Sequence, residues 1–137
     1  MEFYLCTKYR GDNGDLATDE EIDENCRTAL AIGDAIRRDF PDVEIYIPHE
    51  KQEIVRRLWR KGLIDSDDII EVCCDIIKEE CAGVIVVGTV SKGMLKEIVC
   101  TARWGLIIVE GDCYDDDLKE NIADAIVGLQ ERNDFRK

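Results

Sequence analysis

An open α/β sheet, with parallel strands and helices on both faces, is the fold class the sequence predicts. Three observations carry that expectation. The chain has 137 residues and 45% apolar content, enough for one core in one domain. Its apolar segments alternate between short β-prone runs and longer stretches of helical period. The run "GVIVVG" (Gly83–Gly88) is apolar throughout, as suits a strand buried on both faces of a parallel sheet.

The elements follow in order. "EFYLC" (Glu2–Cys6) reads as a first strand, and the Gly-rich "TKYRGDNGDLA" as a long loop. "TDEE" (Thr18–Glu21) has the form of a capping box, with Thr18 as N-cap and Glu21 reaching back. Ile22, Cys26, Ala29, Gly33, Ile36 and Phe40 recur at steps of three and four, which marks a long amphipathic helix that Pro41 ends. "VEIYIP" (Val43–Pro48) is a second strand, "PHE" (Pro48–Glu50) a turn, and Glu50 to Lys61 a polar helical segment carrying Trp59. "SDD" (Ser66–Asp68) caps and charges the start of the next helix, whose stripe is Ile69, Cys73, Ile76, Ile77 and Cys81. After the third strand, Gly83–Gly88, Ser91 caps a helix with Met94, Leu95, Ile98, Val99 and Ala102 as its core side. "LIIVEG" (Leu106–Gly111) is a fourth strand. A last helix runs from about Asp116 to Glu131, with Leu118, Ile122, Ala125, Ile126 and Leu129 facing in. The order β-α-β-α-α-β-α-β-α describes an open parallel sheet of four to five strands, Rossmann- or flavodoxin-like, with no internal repeat or second domain.

The net charge of −13 repels phosphate backbones, so general DNA or RNA binding is not expected. A small anionic ligand remains compatible if positive groups cluster locally, and Lys8, Arg10 and Lys92 all sit in loops. No apolar run approaches the roughly 18–20 residues of a membrane span. The opening "MEFYLC" is acidic and strand-like and does not resemble a signal peptide, so a cytoplasmic protein with no membrane partner is expected. The seven Cys are odd in number, lack a C-x-x-C pair and have one His for company. They read as reduced, buried, small apolar residues, with no metal and no cofactor implied.

In an open parallel sheet, ligands bind in the crevice beyond the carboxyl ends of the strands. "TKYRG", "PHE" and "TVSKG" are the segments placed there. In the last, Ser91, Lys92 and the backbone N–H groups around Gly93 stand at a helix start, where the dipole favours an anion. The bland reading is an ordinary N-cap with a solvated Lys. Glu97 lies about a turn and a half into that helix, and helical side chains lean toward the N-terminus, so its carboxylate reaches back toward the crevice mouth. Most of the 31 acidic residues must be solvated surface, and address alone singles out Glu97. Asp75, on the preceding helix, could supply a second carboxylate for acid/base work, although its neighbours do not settle which way it faces. Tyr9 suits a base or sugar and Arg10 a phosphate. His49 more ordinarily satisfies a turn or a rim. No P-loop or G-x-G-x-x-G pattern is present.

Taken together, these pieces resemble the nucleoside 2-deoxyribosyltransferase superfamily, which includes nucleoside monophosphate N-glycosidases and small phage and bacterial relatives. "FYLCTKYRG" is similar to the family's opening strand and Arg-Gly loop. "YIPHE" is similar to a second-strand "PH", and "CAGVIVVG" to the family's third strand. "SKGMLKEIVCTARWG" is similar to "S-x-G-M-x-x-E-I-x-x-A-x-x-x-G", and is the most specific of the matches. The resemblance implies cleavage or transfer of the N-glycosidic bond of a (deoxy)nucleoside monophosphate, with Glu97 at C1′ and Asp75 assisting. It implies that Tyr9, Arg10, Gly11, His49, Ser91, Lys92, Gly93 and Met94 bind the ligand. A small-molecule nucleotide or nucleoside is the implied partner, and a homodimer or larger homo-oligomer the implied assembly. The chain departs from the family in having Ala82-Gly83 where an Asp often opens the third strand, and Thr89-Val90 where transferases often carry an Asp. Those departures leave a second expectation open, a nucleotide-binding sensor or sequestering protein without turnover.

Overall fold

Strand β1 (Glu2–Cys6) runs between β2 (Glu44–Tyr46) and β3 (Gly83–Val87), and β4 (Ile107–Gly111) lies outside β3. All pairs are parallel, in the order β2-β1-β3-β4, with Tyr4 beside Tyr46 on one side and Val84 on the other. The structure, a computed structural model, describes the backbone of residues 1–136 and their side chains except at positions 12, 13, 15 and 133–136. The helices are α1 (Asp19–Asp39), α2 (Gln52–Arg60), α3 (Ser66–Glu80), α4 (Lys92–Arg103) and α5 (Asp116–Arg136), with short 3-10 turns at Gly11–Leu16 and Pro48–Lys51. This is the open α/β class that the order of elements predicts. Among the described residues no helix is long and apolar enough to cross a membrane.

Strand pleating sends alternate residues to opposite faces, and each face has its own core. Phe3, Leu5, Ile85 and Val87 meet Ile36 of α1 and Leu118 and Ile122 of α5. Tyr4, Cys6, Val84 and Val86 meet Cys73 and Ile77 of α3 and Met94 of α4. Every residue of β3 is buried, as its unbroken apolar run requires. Each large apolar side chain removed from water in this way contributes on the order of 1.5–3 kcal/mol before entropy is counted.

Two glycines let elements approach closely. A Cβ at Gly33 would run into the Ile47 side chain, and one at Gly83 into the Ile107 carbonyl oxygen of the neighbouring strand. Backbone cannot step aside as a side-chain tip can. Gly83→Ala is therefore expected to lower stability by about 1–3 kcal/mol. Gly128→Ala, in α5 with nothing within 4 Å of the added Cβ, should instead gain up to about 1 kcal/mol through helix propensity. Urea melts of both variants check the contrast, and equal midpoints would refute it.

Several local expectations need correction. Thr18 caps α1 through Glu21 N–H as expected, but α3 is capped by Asp65, in a reciprocal box with Asp68, and Ser66 is its first helical residue. The inner face of α4 is Met94, Ile98 and the buried Thr101, with Glu97 among them; Leu95 and Val99 are 53% and 46% exposed, and Ala102 is exposed too. The helix carries two overlapping apolar stripes, and a carboxylate on the inner one disguised it. All seven Cys are free thiols, but only five are buried; Cys100 is half-buried and Cys113 exposed, in the turn after β4.

Candidate functional site

The crevice opens beyond the carboxyl ends of β1 and β3, where the sheet order turns back on itself. Two cavities meet there, of about 350 and 480 Å³. Thr7, Tyr9, Ile69 and Glu97 line both. The smaller is bordered by Arg10, Gly11, Ser91, Lys92, Gly93 and Met94, together with Asp67 and Lys96. The larger is walled by Tyr4, Tyr46, Pro48, His49, Val55, Leu58, Val72 and Ile76. One crevice thus has an end bordered by Arg10, Lys92 and Lys96, the last paired with Asp67 at 2.9 Å, and an apolar, aromatic end.

Glu97 sits where the two meet, because the turn from Ser91 to Met94 starts α4 beside the end of β3. Ser91 Oγ accepts from Met94 N–H at 3.4 Å, and Met94 Sδ from Ser91 N–H at 3.5 Å, so the helix start is closed on itself. One turn later Thr101 Oγ1 donates to the Glu97 carbonyl at 2.7 Å, on the same inner face. Burial pushes the Glu97 carboxyl up to about 7, against the polar influence of the neighbouring Tyr4 hydroxyl and Cys6 thiol, which hold it down. Tyr4 is itself buried and stacked on Tyr46, with ring centres 5.8 Å apart, so its hydroxyl is fixed in place. Burial, and then the nearby Glu97 charge, push the Tyr4 and Cys6 protons well above their ordinary range. Both groups therefore stay protonated, and the Cys6 thiol donates to the Met94 carbonyl at 4.0 Å.

No family model, curated protein or solved structure matches this chain.

What the crevice can do follows from its own side chains. Arg10 is 9% exposed, borders the smaller cavity, and stacks on Trp59 of α2. Gly11 follows it in the left-handed region at φ +70°, which favours glycine. The loop is pinned from behind by Asn25 of α1, whose Nδ2 donates to the Tyr9 carbonyl at 2.8 Å. Lys92 and Gly93 are placed at the cavity rim, exposed and half-buried respectively, while Met94 is buried with one side toward the cavity. A Cβ on Gly93 would find only ordinary contact with Ile70, so packing does not demand glycine there.

His49 is 1% exposed, on the wall of the larger cavity. Its Nε2 lies 3.0 Å from the Lys8 carbonyl, which can only accept, so Nε2 carries the proton. Burial lowers its pKa against that hydrogen bond, which keeps the ring neutral at pH 7. His49 braces the loop after β1 and edges the Tyr9 ring at 5.5 Å. Lys8 is exposed and its side chain lines neither cavity.

Asp75 does not join the site. It is exposed and lines a separate groove with Cys74, Cys100 and Trp104, on the outer side of α3 and α4. Cys73, Ile77 and Cys81 take the inner face of that segment, and Asp75 lies between them in sequence but round the helix from them. Four residues of the site escaped the sequence reading. Tyr4 and Cys6 read only as core of a strand, and Trp59 only as an aromatic on a polar helix. Asn25 left one signal, a polar side chain one step from Cys26 on the buried face of α1.

Proposed function

We propose that the crevice binds a (deoxy)nucleoside monophosphate and that Glu97 acts at C1′ in cleavage or transfer of its N-glycosidic bond. One observation carries this reading: Glu97 stands between two unlike halves of one crevice. The phosphate goes to the end bordered by Arg10, Ser91, Lys92 and Gly93, where guanidinium, ammonium and helix N-terminus all favour an anion. The base goes to the apolar end, against Tyr9, Tyr46 and the aliphatic wall. The sugar between them then faces the carboxylate.

Departure of the base leaves positive charge on C1′ and its ring oxygen, and an adjacent carboxylate stabilises or captures it. A Glu97 oxygen bonds to C1′ as the C1′–N bond breaks, and that electron pair leaves with the base, which takes up a proton. Water or a second base then displaces the carboxylate from C1′. The ionised form is required for attack, and a carboxyl near pKa 7 is about half ionised at neutral pH. Partial desolvation makes that carboxylate a better nucleophile than one in water.

A second reading, nucleotide binding without turnover, is favoured by the outward position of Asp75. It leaves the departing base without the second carboxylate that the resemblance implies. Incubation with deoxy- and ribonucleoside monophosphates and free nucleosides, followed by chromatography, separates the readings. Release of free base from a monophosphate is the expected result. Intact ligands that nonetheless bind in calorimetry would select the binding protein, and the absence of both would sink the nucleotide assignment.

A further inference from the structure

Arg10 leaves β1 on a loop, whereas Trp59 lies near the end of α2, yet the guanidinium carbon is 3.5 Å from the centre of the indole ring. Attraction between a cation and an aromatic face extends to about 6 Å, so this pair is in full contact. The Tyr9 ring is farther, at 5.7 Å. Arg10 is largely out of water, the setting in which such contacts are strongest. Arg10 borders the smaller cavity, while Trp59 lines neither cavity. A stack engages the flat face of a guanidinium, and an oxyanion is recognised by its in-plane N–H edge. The indole holds the face and leaves the in-plane N–H groups to polar partners, among which an oxyanion can be one.

We propose that Trp59 is a positioning residue for Arg10, and that through Arg10 it makes the crevice prefer a nucleoside monophosphate to the matching free nucleoside. This rests on the reading of the crevice given above. A chain of net charge −13 repels a phosphate dianion on approach, so the cations that receive it must be held in place. Arginine is long and rich in rotamers, and ordering it at the moment of binding weakens the complex. An indole that orders it beforehand removes that loss. The preference for phosphate then depends on a residue that does not touch the ligand.

Calorimetric titration tests this with the adenosine, cytidine, guanosine and uridine monophosphates, in ribo and deoxy forms, and with their nucleosides. The proteins are wild type, Trp59→Leu, Trp59→Phe, Arg10→Gln and the Leu/Gln double variant. Trp59→Leu should weaken the preferred monophosphate about tenfold and leave its nucleoside unchanged. Trp59→Phe, which keeps a face, should lose less. The double variant should be no weaker than Arg10→Gln alone, because the two residues act as one unit. If Arg10→Gln weakens the monophosphate and Trp59→Leu does not, the positioning role is overturned while the crevice reading stands. Equal weakening of monophosphate and nucleoside by both Trp59 variants also overturns it, since the indole would then serve only the fold. If wild type binds no monophosphate, the crevice reading falls and the inference with it.

Discussion

Glu97→Gln is expected to abolish release of free base from the preferred monophosphate, by roughly 10³-fold or more, with ligand affinity within a few-fold of wild type. The amide keeps the shape of the carboxyl beside Tyr4 and Cys6, both of which burial keeps protonated. It cannot bond to C1′ or carry the negative charge that balances the oxocarbenium ion. Loss of turnover with retained binding in calorimetry is the outcome that fits a nucleophile. Wild-type turnover in the variant would remove Glu97 from the chemistry.

The second large effect is a pH dependence that Glu97 imposes on stability and rate together. Its carboxyl is raised from the ordinary 4.5 to about 7 in the folded chain. The folded state therefore holds a proton that the unfolded state has released across that window. This contribution to stability is complete below about pH 4.5 and is lost as pH rises through about 7, for a total of roughly 3 kcal/mol. His49 acts in the opposite sense, since burial lowers its pKa and its contribution is lost on acidification below the usual His range. The difference between wild type and Glu97→Gln isolates the carboxyl. Urea melts should show the variant gaining on wild type as pH rises from 4.5 to 8, and a constant difference would refute the burial argument. The rate constant kcat/KM should rise with pH to a plateau above about 7, whereas a limb near 4.5 would show Glu97 solvated in the free protein.

The layers of the fold were legible because they rest on patterns that few structures share. An unbroken apolar run bounded by glycines can be a doubly buried strand, and β3 is one. The place of Glu97 was legible for a related reason: a loop after a strand and the first turns of the next helix converge on the crevice whatever the side-chain details. What failed was rotation about a helix axis. Asp75 is two residues beyond the inward Cys73, about 200° round the helix, and no neighbour in sequence announces that. On α4, Leu95 and Val99 formed as regular a stripe as Met94 and Ile98, and only the sheet above decides between them. Trp59 and Arg10 meet through tertiary structure alone.

Helix α2 walls the apolar end of the crevice with Val55 and Leu58, yet contributes no fully buried residue to either core. Ion pairs from Arg56 to Asp23 and from Arg60 to Asp19 fasten it to α1, and the Trp59–Arg10 stack fastens it to the loop. The Arg60–Asp19 pair is exposed on both sides, so it contributes little and weakens with salt. Because α2 lends neither core a fully buried residue, its detachment is expected to cost less than global unfolding. Admission to the apolar end of the crevice would then be a local event, separate from the packing of the scaffold.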